Sequence, residues 1–490
     1  MLNKIDFSSF RTIIFVGLIF RLLSAIFSAG YGMHDDHFLI VEAASSWADG
    51  FDYNGWLPWS EGNRGGAEGH SFTYVGINYI YFAVAKFLGM DNPMTLMLFN
   101  RILHALASIT VVYFGIKITE KISNRKNAVI VGWILSLLWI MPFLSVRNLV
   151  EMTSIPFLMW GVWLLVRNRK PIDFLYAGML LGMAVSFRYQ IGVFAVGLAA
   201  YYFFKYQWKP FFLFCGGVLL VFGITQGLVD FLIWGYPFAE FIAYFTYNVN
   251  EGVSYMINTN YFMYFYVLFG VLLFPLGVLA LIGFFNTAKK QWFLFLPTIV
   301  FILFHSFYPN RQERFILTVF PIVVILSIIG IDYLRKSAFW NKAWNFSWKA
   351  FWVLNIPLLL FFSFTSSKKS RIEAMYALYD NGMQKEHILV EASGDSKISM
   401  MPKFYSKSWE AQFRERDEPV VPLLAEKESS YDYIFFIGDD KLQDRINLYK
   451  PFYPNMKLEK KCQPSAIDIV LHKLNPRNSN EYIEVWKTNL

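Results

Sequence analysis

The stretch TIIFVGLIFRLLSAIFSAGYGMHDDHFLIVEA, residues 12–43, joins two kinds of sequence. Residues 12–30 carry one charge, Arg21. A run of about 20 apolar residues is long enough to cross a hydrocarbon core. Four ionisable side chains follow in a row: His34, Asp35, Asp36 and His37. Such groups are costly at membrane depth unless they are paired or line a wet cavity. The junction therefore predicts a membrane span that delivers a charged cluster to its outer edge. The S-A-G at its end could mark a cleaved signal peptide, but more apolar runs follow, so we read an uncleaved first span.

Composition extends this reading to the whole chain. Its 490 residues are 56% hydrophobic and 16% charged, against about 25% charged in soluble domains. A single core does not grow to hold that much apolar surface. Apolar runs near 12–30, 96–116, 128–145, 154–166, 173–187, 191–204, 210–234, 262–285, 292–308, 315–334 and 350–365 predict a polytopic α-helical membrane protein of about eleven spans. The segment SFTYVGINYIYFAVAKFLG, 71–89, is the ambiguous one. If it lies at the surface, the loops on the N-terminal side of the membrane hold Lys4, Arg11, Lys117, Lys121, Arg125, Lys126, Arg167, Arg169, Lys170, Lys205, Lys209, Lys289, Lys290, Arg335, Lys336, Lys342 and Lys349. The opposite loops then hold only Arg64, Lys86, Arg147, Arg188, Arg311 and Arg314. That is a positive-inside pattern, so we expect the N-terminus inside and the C-terminus outside. The net charge of +8 then reflects orientation rather than nucleic-acid binding. Cys215 and Cys462 sit in settings too different to suggest a disulfide framework.

After residue 365 the apolar runs stop. We expect a membrane domain over 1–365 and a small soluble α/β domain over 366–490 on the outer face. HILVEA, YDYIFFIG and IDIVLHKL read as its short buried strands.

With this topology the specialised polar residues gather on the outer side. HDDH opens the first outer loop. VRNLVEMTS places Arg147 and Glu151 at the next, SFRYQIG places Arg188 and Gln190, the aromatic loop 234–255 carries Asn248, and YPNRQERF carries Asn310, Arg311, Glu313 and Arg314. Each has a plain structural alternative. Asp35 or Asp36 could cap a helix. His34 and His37 could be metal ligands, although adjacent residues do not readily converge on one ion. Arg147 and Glu151, four apart, fit an ion pair on one helix face. Arg188 could be a boundary residue with its charge in the headgroups. Two arginines on an outer loop oppose a topological role, and the guanidinium fork suits phosphate oxygens.

The sequence resembles the GT-C superfamily of membrane glycosyltransferases, in particular the family 22 mannosyltransferases. Met33-His34-Asp35-Asp36-His37-Phe38 with Val41-Glu42 matches that family's H-P-D-E and following L-E. Asn310-Arg311-Gln312-Glu313-Arg314-Phe315 matches its H-K-E-x-R-F, with Asn310 and Gln312 as departures. Asp230, Gly235, Tyr247-Asn248 and Gly252-Val253-Ser254 form a weaker third match. The resemblance covers roughly residues 10 to 335 and leaves the tail outside.

The resemblance implies a GT-C fold with interfacial helices in the first outer loop, a polyprenyl-phosphate-sugar donor, and inversion at the anomeric carbon. It places the catalytic aspartate on Asp35, with Asp36 positioning substrate or a metal. The residues fit that chemistry independently. A sugar hydroxyl needs a positioned base, and a carboxylate can serve. A phosphate leaving group needs positive charge, which Arg314 can supply. A lipid donor also fits a chain with neither a P-loop nor a dinucleotide fingerprint. The expected function is transfer of mannose or another hexose to a lipid-linked glycan or other acceptor, at a bacterial inner membrane. No cofactor is assigned, and a divalent ion, Mg or Mn, stays open. Two other readings stay open as well. A transporter or flippase for lipid-linked saccharides should show paired broken helices or repeated halves. A lipid-linked glycan polymerase or ligase would take a whole oligosaccharide as donor.

Overall fold

A computed structural model describes residues 6–60, 66–250, 260–308, 311–380, 387–392, 400–416, 431–475 and 478–489. The chain divides into two compact units. The first comprises Met1–Ala25, Gly55–Ile77 and Arg101–Ser363, and the second Ile26–Asn54, Asn78–Asn100 and Phe364–Leu490. The boundary expected at 365 lies beside the last division, but the tail shares its unit with two stretches from the front of the chain.

The helices run in the order α1 (Phe10–Phe27), α2 (His34–Asp36), α3 (Ala43–Asp49), α4 (Phe72–Phe87), α5 (Pro93–Ile122), α6 (Arg125–Leu137), α7 (Met141–Ser145), α8 (Val150–Arg167), α9 (Ile172–Phe187), α10 (Ile191–Phe204), α11 (Trp208–Phe222), α12 (Val229–Trp234), α13 (Ala239–Asn250), α14 (Met263–Gly270), α15 (Leu276–Asn286), α16 (Trp292–Phe307), α17 (Phe320–Leu334), α18 (Ala338–Phe364) and α19 (Lys369–Asp380). Among the described residues, six stretches are long and apolar enough to cross a membrane: Phe10–Phe27, Pro93–Ile122, Val150–Arg167, Trp208–Trp234, Glu313–Leu334 and Ala338–Tyr379. α9, α10, α15 and α16 are apolar but shorter. α4, the ambiguous segment, meets neither description.

Two expected spans are not single helices. The run 128–145 breaks between α6 and α7. The run 262–285 breaks between α14 and α15, with Leu273 in the left-handed region at φ 62°. One straight helix would set Phe265 and Phe285 about 30 Å apart at 1.5 Å per residue. Their ring centroids are 6.1 Å apart, so the two arms lie side by side.

The core of the first unit is a continuous apolar cluster drawn from α1, α5, α6, α8–α11 and α14–α18. Close approach is bought by glycine where α15 meets α17: a Cβ on Gly330 would fall 1.8 Å from the Gly283 carbonyl oxygen, the small-residue contact that lets membrane helices pack. Arg21, fully buried within α1, is answered by neighbours. Its Nε donates to Ser108 Oγ at 3.1 Å, and its two Nη atoms donate to the carbonyls of Gly17, Leu135 and Ser136 at 3.0–3.1 Å.

The second unit holds a five-stranded sheet in the order β2-β1-β3-β5-β4. The strands are β1 (His387–Ala392), β2 (Gln412–Arg416), β3 (Tyr433–Ile437), β4 (Lys457–Cys462) and β5 (Ile483–Lys487). β1 pairs in parallel with β2 and β3, while β5 runs antiparallel to β3 and β4. Its helices are α20 (Leu442–Tyr449) and α21 (Ala466–Leu474). HILVEA and YDYIFFIG form the expected strands, but IDIVLHKL is the helix α21. A reciprocal capping box explains the difference: Asp468 N donates to Ser465 Oγ at 3.2 Å and Ser465 N to Asp468 Oδ2 at 3.3 Å, satisfying two orphan donors of a helix start. Arg445 of α20 locks the sheet, donating from Nε to Glu391 Oε2 at 2.8 Å and from Nη2 to the Ile437 carbonyl at 2.8 Å. Cys215 and Cys462 are both free.

One carboxylate ties two outer loops of the first unit together. Glu240, fully buried at the start of α13, accepts from Gly69 N at 2.7 Å, His70 N at 3.0 Å, Trp56 Nε1 at 3.0 Å and Trp234 Nε1 at 3.0 Å. Burial pushes its carboxyl up to about 7 from 4.5, against the pull of the His70, Trp56 and Gly69 donors. The folded protein thus holds this proton more tightly than the unfolded chain. The stability it contributes is full below about pH 4.5, is lost as pH rises toward about 7, and is level beyond. Glu240→Gln should flatten that slope. The melting temperature of purified protein should fall less between pH 5 and pH 8 in the variant than in wild type; equal falls would show that Glu240 does not titrate there.

Candidate functional site

Two loop arginines of the first unit converge on one buried carboxylate. Glu151 sits in the first turn of α8, and Arg188 just after α9, in the turn to α10. Arg314 lies in the 3₁₀ turn Glu313–Val319 ahead of α17. Arg188 Nη2 stands 3.2 Å from Glu151 Oε1, and Arg314 Nε stands 3.8 Å from the same oxygen. Arg314 Nε also donates to Gln312 Oε1 at 2.9 Å. The ring of Phe315 lies under the Arg188 guanidinium at 4.6 Å and within 5.7 Å of Arg314. Arg311 is buried over the ring of Tyr261 at 4.6 Å. Among the described residues, two guanidinium groups stand on one buried carboxylate, and the guanidinium fork is a group that complements anions.

Other sequence-predicted residues support this centre. Gln190 donates to the Tyr244 hydroxyl, and burial pushes that phenol up against the pull of Arg188, with Glu151 and Arg314 also acting on it. Asn248 Nδ2 donates to the Tyr244 carbonyl at 2.7 Å, and Tyr308 OH donates to Asn248. Arg147 does not form the same-helix pair that its spacing suggested, because it precedes α8. Its guanidinium lies 3.3 Å from the Phe143 ring centroid and donates to the Phe143 carbonyl. Glu313 is exposed, and its charge reaches Tyr264. Asn310, like Gly252-Val253-Ser254, lies outside the described residues. Sequence reasoning missed Tyr244 and Tyr264. Tyr264 is fully buried on α14, within electrostatic reach of Arg311 and Arg188. The only signal for either was the density of tyrosines in that loop.

An apolar groove of about 650 Å³ lies along the α14–α15 hairpin. Phe262, Phe265, Tyr266, Phe269 and Gly270 form one wall, and Phe274, Gly277, Val278, Leu281 and Phe285 the other. Phe262 directly follows Tyr261, which lies under Arg311, so the groove begins next to the cationic centre.

The HDDH cluster belongs to the second unit. His34, Asp35 and Asp36 form α2, with Met33 at its N-cap and no side-chain cap. Neither aspartate therefore caps the helix. The helix continues through a π turn, His37–Glu42, into α3. Asp35 projects to the surface, its side chain 53% exposed, with His34 Nδ1 4.0 Å from Oδ1. Burial, and after it the charge of Asp35 in the opposite sense, set His34, whose pKa is lowered overall. Asp36, His37 and Glu42 are buried. His37 stacks between Tyr31 and Tyr405, at centroid distances of 4.3 and 5.6 Å, and its Nε2 is 3.4 Å from Glu42 Oε1. Only Asp35 and His34 of the quartet thus face outward. Among the described residues no group of three or more His, Cys, Asp or Glu is placed to hold a metal ion.

The sequence profile of the Alg9-like mannosyltransferase family matches residues 12–410, well into the tail that the motifs alone left outside. Among curated proteins none matches. Among solved structures, ArnT from Cupriavidus metallidurans, bound to undecaprenyl phosphate, is similar at 12% identity and a TM-score of 0.61, over 96% of this chain and 97% of that one. The Archaeoglobus fulgidus oligosaccharyltransferase is similar at 10% identity and a TM-score of 0.52, over 86% of this chain and 67% of that one. These likenesses show a shared GT-C fold. The family match covers most of the sequence, and with it the chain is a membrane glycosyltransferase belonging to the Alg9-like mannosyltransferase family.

Proposed function

We propose that the enzyme transfers mannose or another hexose, with inversion, from a polyprenyl-phosphate donor to a lipid-linked glycan or similar acceptor on the extracytoplasmic side of a bacterial inner membrane. The observation that carries this reading is the meeting of Arg188 and Arg314 on buried Glu151, with an apolar groove on the α14–α15 hairpin of the same unit. A polyprenyl phosphate has the matching halves: an anionic head for Arg188, Arg311 and Arg314, and an isoprenoid tail for the groove. Two structural neighbours support the ligand class, since ArnT was solved with undecaprenyl phosphate and the archaeal enzyme with a dolichol phosphate. The positive-inside distribution of Lys and Arg supports the sidedness.

In this reading Asp35 takes the proton of the acceptor hydroxyl. The hydroxyl oxygen forms the new bond to the anomeric carbon, and the bond from that carbon to the phosphate oxygen breaks. The phosphate leaves as an anion and needs no proton, only the positive charge that the arginines supply. Asp36, turned inward, helps hold the loop that presents Asp35. Family membership supports an enzyme over the transporter reading. Incubating purified protein with a synthetic polyprenyl-phosphate mannose and a lipid-linked acceptor tests the proposal, and a donor that is moved across the membrane but never consumed would contradict it.

Asp35→Asn keeps the shape and removes the base. Turnover should fall at least about 100-fold, as general-base contributions run 10²–10⁴, and near-normal turnover would remove Asp35 from that role. The groove has its own test at Gly270, where an added Cβ meets nothing within 4 Å. Gly270→Leu should fill the groove without disturbing the helix. The KM for a long-chain donor should rise roughly tenfold, the ~1–3 kcal/mol of an overfilled apolar site, while a donor of two or three isoprene units should be used as before. Equal kinetics on long donors would mean the tail lies elsewhere.

A further inference from the structure

The tail segment 403–409 is seated on the helix that carries Asp35. In an ordinary α-helix, residues five apart point about 140° away from each other. The π turn His37–Glu42 winds more slowly, with i→i+5 hydrogen bonding, and so brings His37 and Glu42 onto one side. That buried pair receives the tail. Phe404 N donates to Glu42 Oε1 at 3.0 Å, and Tyr405 stacks on His37 with planes 12° apart.

About two turns further along, a second anchor repeats the arrangement. Asp49, at the end of α3, accepts from Lys407 Nζ at 3.1 Å and from Trp409 Nε1 at 2.8 Å, and Lys407 also donates to Ser45 Oγ at 2.8 Å. Lys407 takes up the left-handed region at φ 58°. That conformation is uncommon for a residue with a Cβ and persists where surrounding contacts over-determine it. Independently, the family profile ends at residue 410, so the shared sequence includes this segment and little of the sheet beyond it.

We propose that residues 403–409 are a clamp that holds the α2–π-turn–α3 element in register, with Glu42 and Lys407 as positioning residues for Asp35. The consequence for catalysis rests on the reading of Asp35 as the base; the clamp itself does not. Glu42, the second acidic element of the family motif, then acts on the tail rather than on the sugar. A base misplaced by about 1 Å can cost on the order of 100-fold in rate, so a clamp outside the reaction can control it.

The test reads position and rate separately. In full-length protein with Cys215 and Cys462 replaced, a nitroxide on Asp35→Cys reports the motion of α2 by its line shape. Lys407→Met and Glu42→Gln should each sharpen the spectrum, and Lys407→Arg should restore it. In the unlabelled chain with Asp35 intact, the Met and Gln variants should lose about tenfold or more in kcat with the donor KM little changed and the same melting temperature. An unchanged spectrum in both variants overturns the clamp, whatever the kinetics. A sharpened spectrum with unaltered kcat upholds the clamp and instead removes Asp35 from catalysis.

Discussion

The first unit is organised around a charge that cannot be left alone. Glu151 is fully buried, and breaking a buried ion pair costs about 3–5 kcal/mol because the remaining charge has no solvent. Arg188 and Arg314 answer it from two separate parts of the chain. The start of α8, the turn from α9 to α10 and the turn ahead of α17 must therefore meet at one end of the helices. Once they meet, two guanidinium groups stand together at that end, and the proposed anion site rests on their chemistry.

The neighbouring groove follows from a different constraint. A span must satisfy its backbone within itself, so a broken segment is tolerated where its arms pack on protein or on each other. The α14–α15 hairpin does this through Phe265 against Phe285 and Phe269 against Phe284. The hairpin leaves an apolar trough beginning beside Arg311. A cationic centre next to an apolar trough is what an amphiphilic donor requires. In the second unit the corresponding achievement is exposure: His37 and Glu42 turn inward, and Asp35 stays at the surface.

Much of this was legible in the sequence, for reasons that differ by residue. The apolar runs were readable because length and composition alone define a membrane-crossing candidate. They could not reveal that 262–285 folds back, since a hairpin in an apolar setting has the same composition as a span. Arg188, Arg311 and Arg314 stood out as cations on the loops expected to be poor in them. Arg147 misled: spacing by four suggests a pair only inside a helix, and Arg147 lies before one. The true partners of Glu151 are distant in sequence, where no periodicity reaches. The pairing of His37 with Glu42 depends on a π register that spacing rules for α-helices do not describe. IDIVLHKL alternates apolar residues as a strand would, and the Ser465 cap decides for the helix.

The central claim is that the cluster around Glu151 holds the phosphate of a polyprenyl donor. Equilibrium binding of a polyprenyl phosphate to the purified protein, at fixed ionic strength, tests it most directly. Arg314→Lys keeps the charge and loses the planar fork. It should weaken binding roughly tenfold or more, the ~1.4 kcal/mol or greater of a lost charge-assisted contact, while Asp35→Asn binds as wild type does. Wild-type affinity in Arg314→Lys, Arg188→Lys and Arg311→Lys alike would contradict the account and leave these arginines with packing as their only role.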